Sequence, residues 1–183
     1  FLLTVGTIEP RKNLQTLVKA FEEIGARQSH PTLQLVIAGN RGWLSEPLFD
    51  ALVKSAMRNR IILTEYLNDE ELRALYSSCR AFVYPSIYEG FGLPPLEAMA
   101  CGAPVITSRI PALEETTGGA AILVEPTNVQ ALASAITEVL ASDDLRSKLS
   151  ALGRSRAAEF TWERTALLTL DVYEKAAAGW NRK

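Results

Sequence analysis

The 183-residue chain has only two cysteines and one histidine. Two isolated thiols, Cys79 and Cys101, are too few for a disulfide framework and too far apart for a zinc cluster, so a reducing, cytoplasmic setting is expected. Both read as small apolar packing residues. The lone histidine, His30, is followed by Pro31 in a polar stretch and reads as surface rather than ligand. No Asp-x-Asp occurs either, so no metal is expected. Apolar runs stop at about five residues, far short of the ~20 that span a bilayer. No charged-apolar-small leader opens the chain. Neither charge sign is in excess: 19 Lys and Arg against 21 Asp and Glu leave a net charge of −2. That balance argues against non-specific nucleic-acid binding and against a broadly cationic membrane surface. Repeats, low-complexity tracts and internal linkers are also missing, which leaves a single domain. A domain of this length buries roughly 70% of the surface that its unfolded chain exposes. The first residue is Phe1, inside what reads as a core strand, and this gives the expectation of a longer polypeptide with an N-terminal part missing here.

What is present is alternation. Apolar runs at Phe1–Gly6, Leu33–Gly39, Ile61–Thr64, Ala81–Pro85, Pro104–Thr107 and Ala121–Val124 read as about six buried strands. Between them, Leu14, Leu17, Val18, Phe21 and Ile24 form an apolar helical stripe. Further helices are expected at Pro47–Met57, from Asn68 with its capping-box Glu71, and at Pro95–Cys101 before Gly102. Three more close the chain, marked by Val129 to Leu140, by Leu145 to Leu152, and by the segment after Thr161. Strands alternating with helices imply a mostly parallel, doubly wound α/β sheet covered on both faces. In such sheets, ligands bind outside the carboxyl ends of the strands, where the strand order reverses. The loops after Gly6, Gly39, Thr64, Pro85 and Thr107 are therefore the ones to inspect.

The most informative of these is Glu89-Gly90-Phe91-Gly92-Leu93-Pro94-Pro95-Leu96-Glu97. It leaves a strand and enters a helix, where free N–H groups and the positive end of the helix dipole favour an anion. Gly90 and Gly92 are expected to permit close backbone approach and positive φ. Two carboxylates, Glu89 and Glu97, flank the turn and are expected to face one cleft. Carboxylates accept hydrogen bonds, and vicinal sugar hydroxyls supply paired donors. In the loop after the first strand, Arg11 and Lys12 precede a helix whose N-terminus disfavours cations, a conflict that an anionic ligand such as a diphosphate would resolve. Asn13 reads as the N-cap. The Gly-x4-Gly-Lys-Ser/Thr phosphate loop is absent.

Two stretches resemble one family. Val5-Gly-x-x-Glu9-Pro10-Arg11-Lys12-Asn13-Leu14 and Glu89-Gly-Phe-Gly-Leu-Pro-x-Leu-Glu97-Ala-Met-Ala-Cys-Gly-x-Pro-Val105 are similar to the donor-binding, C-terminal half of retaining glycosyltransferases of the GT-B fold, family 4. The likeness covers nearly the whole chain and includes that family's Glu-x7-Glu pair. It implies transfer of a hexose from a nucleotide sugar to an acceptor hydroxyl, with no metal or cofactor. Arg11 and Lys12 would hold the diphosphate and stabilise the leaving group's charge. Glu89, with the backbone N–H groups of Phe91 and Gly92, would hold the hexose, followed by Leu93 and Pro94 at the phosphate-facing turn, and Glu97 would take the ribose hydroxyls. Tyr66 and Leu67 would line the base, with Gly6, Thr7, Gly39 and Asn40 bordering the site beside Gly90. The form of the first loop resembles bacterial mannosyltransferases of polysaccharide assembly, so GDP-mannose is the favoured donor, with UDP- or ADP-hexose as alternatives. Thr7 stands where relatives often carry Arg, and Glu65 where many carry Gly. The implied partners are an N-terminal acceptor-binding domain and a glycan or lipid-linked acceptor, with peripheral association at the cytoplasmic membrane face. The terminal helix, with Trp162, Tyr173 and Trp180, resembles the segment that crosses back to that domain.

Other readings stand beside it. Gly90-x-Gly92 after a strand is part of an NAD(P) oxidoreductase fingerprint, but Pro95 occupies the third glycine position and Arg109 follows the next strand. A non-catalytic nucleotide-sugar module is the other alternative. Glu114 and Glu115 read as a solvated helix start, with site residues after the Pro104 strand as the alternative. Arg146, Lys148, Arg154 and Arg156 read as a solvated face, with weak attraction to anionic lipid as the alternative.

Overall fold

Leu2–Val5 forms β1, the strand from which the sheet grows in both directions. The structure is a computed structural model that describes residues 1–27 and 30–180, with the side chains of residues 179 and 180 outside the description. To one side of β1 lie β2 (Leu35–Ala38) and β3 (Ile61–Thr64), and to the other β4 (Ala81–Tyr84), β5 (Val105–Ser108) and β6 (Ile122–Val124). The order is β3-β2-β1-β4-β5-β6, and every pairing is parallel. The order therefore reverses between β1 and β4, and the crevice beyond their carboxyl ends is where a ligand belongs.

Alternate residues of each strand enter two cores. Leu2, Leu35, Ile37 and Val83 pack under α1 (Leu14–Ala26), α2 (Glu46–Lys54) and α6 (Val129–Ala141). Leu3, Val36, Phe82, Tyr84 and Val105 pack under α3 (Asp69–Ser78), α4 (Leu93–Ala100) and α5 (Pro111–Thr117). The expected stripe of α1 is buried in full: Leu14, Leu17, Val18, Phe21 and Ile24 all lie in the first core. Asn68 and Glu71 make the complete reciprocal capping box that starts α3. After α4 the N–H of Gly102 bonds to the carbonyl of Met99 and that of Ala103 to the carbonyl of Ala98, both at 2.9 Å, with Gly102 at φ 80°. This is the Schellman arrangement, and it is why a glycine ends the helix.

Several expectations need correcting. The second helix stops at Lys54 instead of reaching Met57, because Ser55 turns to extended backbone (φ −69°, ψ 128°) and its hydroxyl bonds to Glu22 of α1. Helix α4 starts at Leu93, two residues early, because Gly92 adopts φ 98° and caps it. Helix α5 begins at Pro111, ahead of the expected Glu114 and Glu115. On α7 (Asp143–Ala157), Arg146 and Arg156 are half-buried rather than solvated. Arg146 donates to the carbonyl of Leu140 (2.8 Å) at the end of α6, and Arg156 to those of Thr116 (3.0 Å) and Glu115 (2.6 Å) at the end of α5. Each cation thus meets the negative end of a neighbouring helix. The last helix, α8 (Trp162–Trp180), keeps Trp162, Leu167, Val172 and Tyr173 exposed, and the side chain of Trp180 lies outside the described residues. Among the described residues, no helix is long and apolar enough to cross a membrane.

Candidate functional site

The loops after β1 and β4 meet at the switch point. Pro10–Lys12 forms a 3-10 turn, and Asn13 then takes left-handed backbone at φ 55°. Asn13 makes no side-chain cap on α1. Its amide instead donates to the carbonyls of Pro85 (2.9 Å) and Pro126 (2.7 Å), tying three loops together. Asn13 is the N-cap residue of α1 as expected, but its side chain clamps loops instead of capping the helix. The cations sit at the end of the 3-10 turn, and Asn13 separates them from the start of α1.

The anion that faces these cations is Glu89. Its Oε1 lies 2.7 Å from Lys12 Nζ, and its Oε2 lies 2.7 Å from Arg11 Nη1. Tyr84 OH donates to the same Oε1 at 2.8 Å, and Lys12 also hydrogen-bonds the Tyr84 hydroxyl. Lys12 is buried, and its ammonium also stands 4.7 Å from the centre of the Tyr84 ring, a cation–π distance. Arg11 is held from its other side by Glu9, whose Oε1 is 2.6 Å from Nε, and Glu9 in turn accepts from the Trp43 indole at 2.9 Å. Burial raises the Glu89 pKa, but hydrogen bonds from Lys12 and Tyr84 outweigh it and hold the carboxyl below its ordinary range. Burial and the Glu89 charge push the Tyr84 phenol well above its ordinary value, so it stays a donor. The conflict of adjacent cations near a helix start is thus already resolved within the chain.

Six of the expected residues line one cleft of about 210 Å³: Gly6, Thr7, Gly39, Asn40, Tyr66 and Leu67. Val5, Ala38, Glu65 and Leu72 complete its wall. Gly39 has φ 143°, and a Cβ there would stand 2.3 Å from the Gly6 carbonyl oxygen, so the ends of β1 and β2 can approach this closely only with glycine. A Cβ on Gly6 would stand 3.3 Å from Lys12 Cε, which places the cation cluster against the same cleft.

Glu97 lies elsewhere. It lines a second cleft of about 300 Å³ with Leu72, Arg73, Tyr76 and Cys101, and it accepts from Tyr76 OH at 3.0 Å. The two clefts adjoin at Leu72. The turn between them carries Glu89 into the cation cluster beside the first cleft, while Glu97 lines the second, which adjoins it.

The glycines of that turn differ. Gly92 takes φ 98°, and a Cβ there would stand 2.5 Å from buried Leu113. Gly90 has no positive φ, and a Cβ on it would meet nothing within 4 Å. The helix start also offers fewer donors than expected. Pro94 and Pro95 occupy its second and third positions, so of the first four N–H groups only those of Gly92 and Leu93 exist. The side chains of Phe91 and Leu93 line a further cleft with Glu97, Phe160 and Trp162.

Sequence reasoning missed Tyr84 and Tyr76. For Tyr84 the available signal was a tyrosine ending an otherwise apolar buried strand, and for Tyr76 a tyrosine on the apolar stripe of α3, since a buried phenol needs a partner for its hydroxyl.

Comparisons with known proteins bear on the family and the fold. The chain is 38% identical over 176 residues to the O-antigen chain mannosyltransferase B of Escherichia coli, covering 95% of this chain and 45% of that protein. It is 45% identical over 116 residues to the MMP alpha-(1->4)-mannosyltransferase of Mycolicibacterium hassiacum, covering 61% of this chain and 28% of that protein. Among solved structures, sucrose-phosphate synthase from Thermosynechococcus elongatus superposes with a TM-score of 0.85 at 31% identity, over 97% of this chain and 46% of its own. The chain spans less than half the length of each. The family of glycosyl transferases group 1 matches residues 1–156. The chain belongs to this glycosyltransferase family and carries its GT-B fold, in the form of the C-terminal Rossmann-like half, which sets aside an oxidoreductase reading of Gly90-x-Gly92.

Proposed function

We propose that this chain is the donor-binding domain of a retaining hexosyltransferase, with GDP-mannose the favoured donor and UDP- or ADP-hexose the alternatives. The observation that carries the proposal is the cluster of Arg11, Lys12 and Glu89 at the sheet's switch point, set against the cleft lined by Gly6 and Gly39. A guanidinium has five N–H donors and an ammonium three, so both cations retain donors for a diphosphate beyond their bonds to the carboxylates. The mannosyl names of the similar proteins support the choice of sugar.

In the reaction, the bond from the sugar's anomeric carbon to the diphosphate oxygen breaks, and its electron pair stays on the diphosphate. The acceptor oxygen bonds to the same carbon on the same face, and its proton passes to the departing diphosphate. Arg11 and Lys12 meet the charge that grows on the leaving group. Glu89, already fixed as a carboxylate, accepts from hexose hydroxyls beside the N–H groups of Phe91 and Gly92. Gly90 leaves open space for the sugar, and Leu93 and Pro94 carry the chain past the phosphates. Glu97 accepts from the ribose hydroxyls, and Tyr66 and Leu67 wall the base with Thr7 and Asn40 at the rim. An N-terminal domain of a longer polypeptide would hold the glycan or lipid-linked acceptor at the cytoplasmic face of the membrane, so the 183 residues bind donor without transferring sugar alone.

A thermal-shift panel of GDP, UDP, ADP, their hexose conjugates and NAD tests this. Ligand at 100 times its dissociation constant adds ~2.7 kcal/mol, which for a domain of this size is roughly 5–10 °C. We expect that shift with one nucleoside diphosphate and its loss in Glu97→Ala. A shift with NAD alone, or with no nucleotide, overturns the proposal.

A further inference from the structure

Each glutamate of the Glu89 and Glu97 pair ends on a buried tyrosine hydroxyl. Tyr84, on β4, donates to Glu89 Oε1 at 2.8 Å, and Tyr76, on α3, donates to Glu97 Oε2 at 3.0 Å. The rings are 1% and 2% exposed. Both pack on Phe82: Tyr76 edge-on, with centroids 5.3 Å apart and planes at 69°, and Tyr84 stacked, at 5.8 Å and 21°. Three rings from two elements thus form one block, with a carboxylate hanging from each end.

Packing alone does not explain the two hydroxyls. Phenylalanine would fill the same space, and a buried hydroxyl costs stability unless it is bonded. The carboxylates, in contrast, need support. Glu97 stands on the exposed side of α4, where a glutamate ordinarily samples several rotamers, and Glu89 stands in a loop, where Arg11 and Lys12 also hold it. We infer that Tyr76, Phe82 and Tyr84 form a positioning unit in which Tyr84 sets the direction of Glu89, Tyr76 sets that of Glu97, and Phe82 fixes the spacing between the two. The inference rests on the reading of Glu89 as the hexose ligand and Glu97 as the ribose ligand. Burial first, and the adjacent carboxylate second, hold both phenols protonated, so each remains a donor across the working pH range. Phe82 and Tyr84 are almost wholly buried and act through their neighbours, while Tyr76 lines the Glu97 cleft with its hydroxyl bonded to that carboxylate.

Calorimetric titration of the wild-type chain with GDP, UDP and ADP identifies the diphosphate it binds tightest. Two affinity ratios are then measured in each protein: that diphosphate against its 2′,3′-dideoxy form, which reports ribose reading, and its hexose conjugate against the bare diphosphate, which reports hexose reading. Ratios taken within one protein cancel any loss of folded material. Tyr76→Phe should lower the first ratio by about tenfold or more and leave the second unchanged, by removing one hydrogen bond to a carboxylate. Tyr84→Phe should do the reverse, and Phe82→Leu should lower both. If either tyrosine variant keeps both ratios, or lowers both equally, the inference is overturned while the site reading stands. If the wild-type chain binds no diphosphate, both fall together.

Discussion

At the scale of single residues, Glu89 shows how a carboxylate can be kept ionised while nearly buried. Its side chain is 9% exposed, and burial alone would raise its pKa. The two cations and the Tyr84 hydroxyl reverse that, so its folded value lies below the ordinary ~4.3 of an unfolded glutamate. A carboxyl with a lowered folded value contributes stability that is fully present above the unfolded pKa and is lost as pH falls through the folded one. Glu89→Gln removes that contribution and leaves Lys12 without its carboxylate. At pH 6–7 the variant should be about 1.5–3 kcal/mol less stable in urea unfolding, the scale of a hydrogen bond to a charged group. The gap should close as pH falls below ~4, while other titrating groups cancel in the difference. A gap independent of pH would show that Glu89 is not ionised in the folded chain. Arg11 and Lys12 were legible as anion-binding residues from the sequence. That the anion they hold here is an internal one was not, because Glu89 is 77 residues away and only the adjacency of β1 and β4 brings it close.

At the scale of elements, the turn into α4 separates two demands placed on glycine. Gly92 is required by the fold: left-handed backbone strains any other residue there, and a Cβ would press on Leu113. Gly92→Ala should therefore cost about 1–3 kcal/mol in unfolding free energy. Gly90→Ala should change stability by less than ~0.5 kcal/mol, because its Cβ points into open space. If that space belongs to the donor sugar, Gly90→Ala should still weaken binding of the hexose conjugate in titration calorimetry. Equal destabilisation by the two substitutions would remove this distinction. The strands were readable because a parallel sheet buried on both faces writes them as unbroken apolar runs, as in Leu35–Ala38 and Ala81–Tyr84. The capping box at Asn68 was readable for a similarly local reason. Helix α5 spans seven residues, too few to show a period, and the capping roles of Arg146 and Arg156 depend on helix ends brought close only by packing. A left-handed Asn13 and a Glu89 drawn into the cation cluster likewise arise from contacts across loops that no window of sequence contains.

At the scale of the molecule, strand order decides where the site lies, and the packing of the helices decides what the domain needs to stand. Helices α6 and α7 lie against α1 and α4, and Gly153 permits the second of these approaches, with Met99 Cγ 3.1 Å from where its Cβ would be. Helix α8 has no comparable bed. Leu167 is 69% exposed and Tyr173 66%, and its apolar contacts in the clefts at its N-terminal side involve Phe91 and Phe160. A helix gains most of its stability in a protein from the apolar face it buries, and a face left open adds little to the fold while promoting association. A chain ending at residue 160 should therefore keep its cooperative unfolding transition, lose only about 1 kcal/mol or less, and self-associate less than the 183-residue chain at equal concentration. Urea unfolding and sedimentation velocity on the two proteins check this together. A loss above ~3 kcal/mol, of the order of a buried large side chain removed from a core, would show that α8 is part of the domain's own packing.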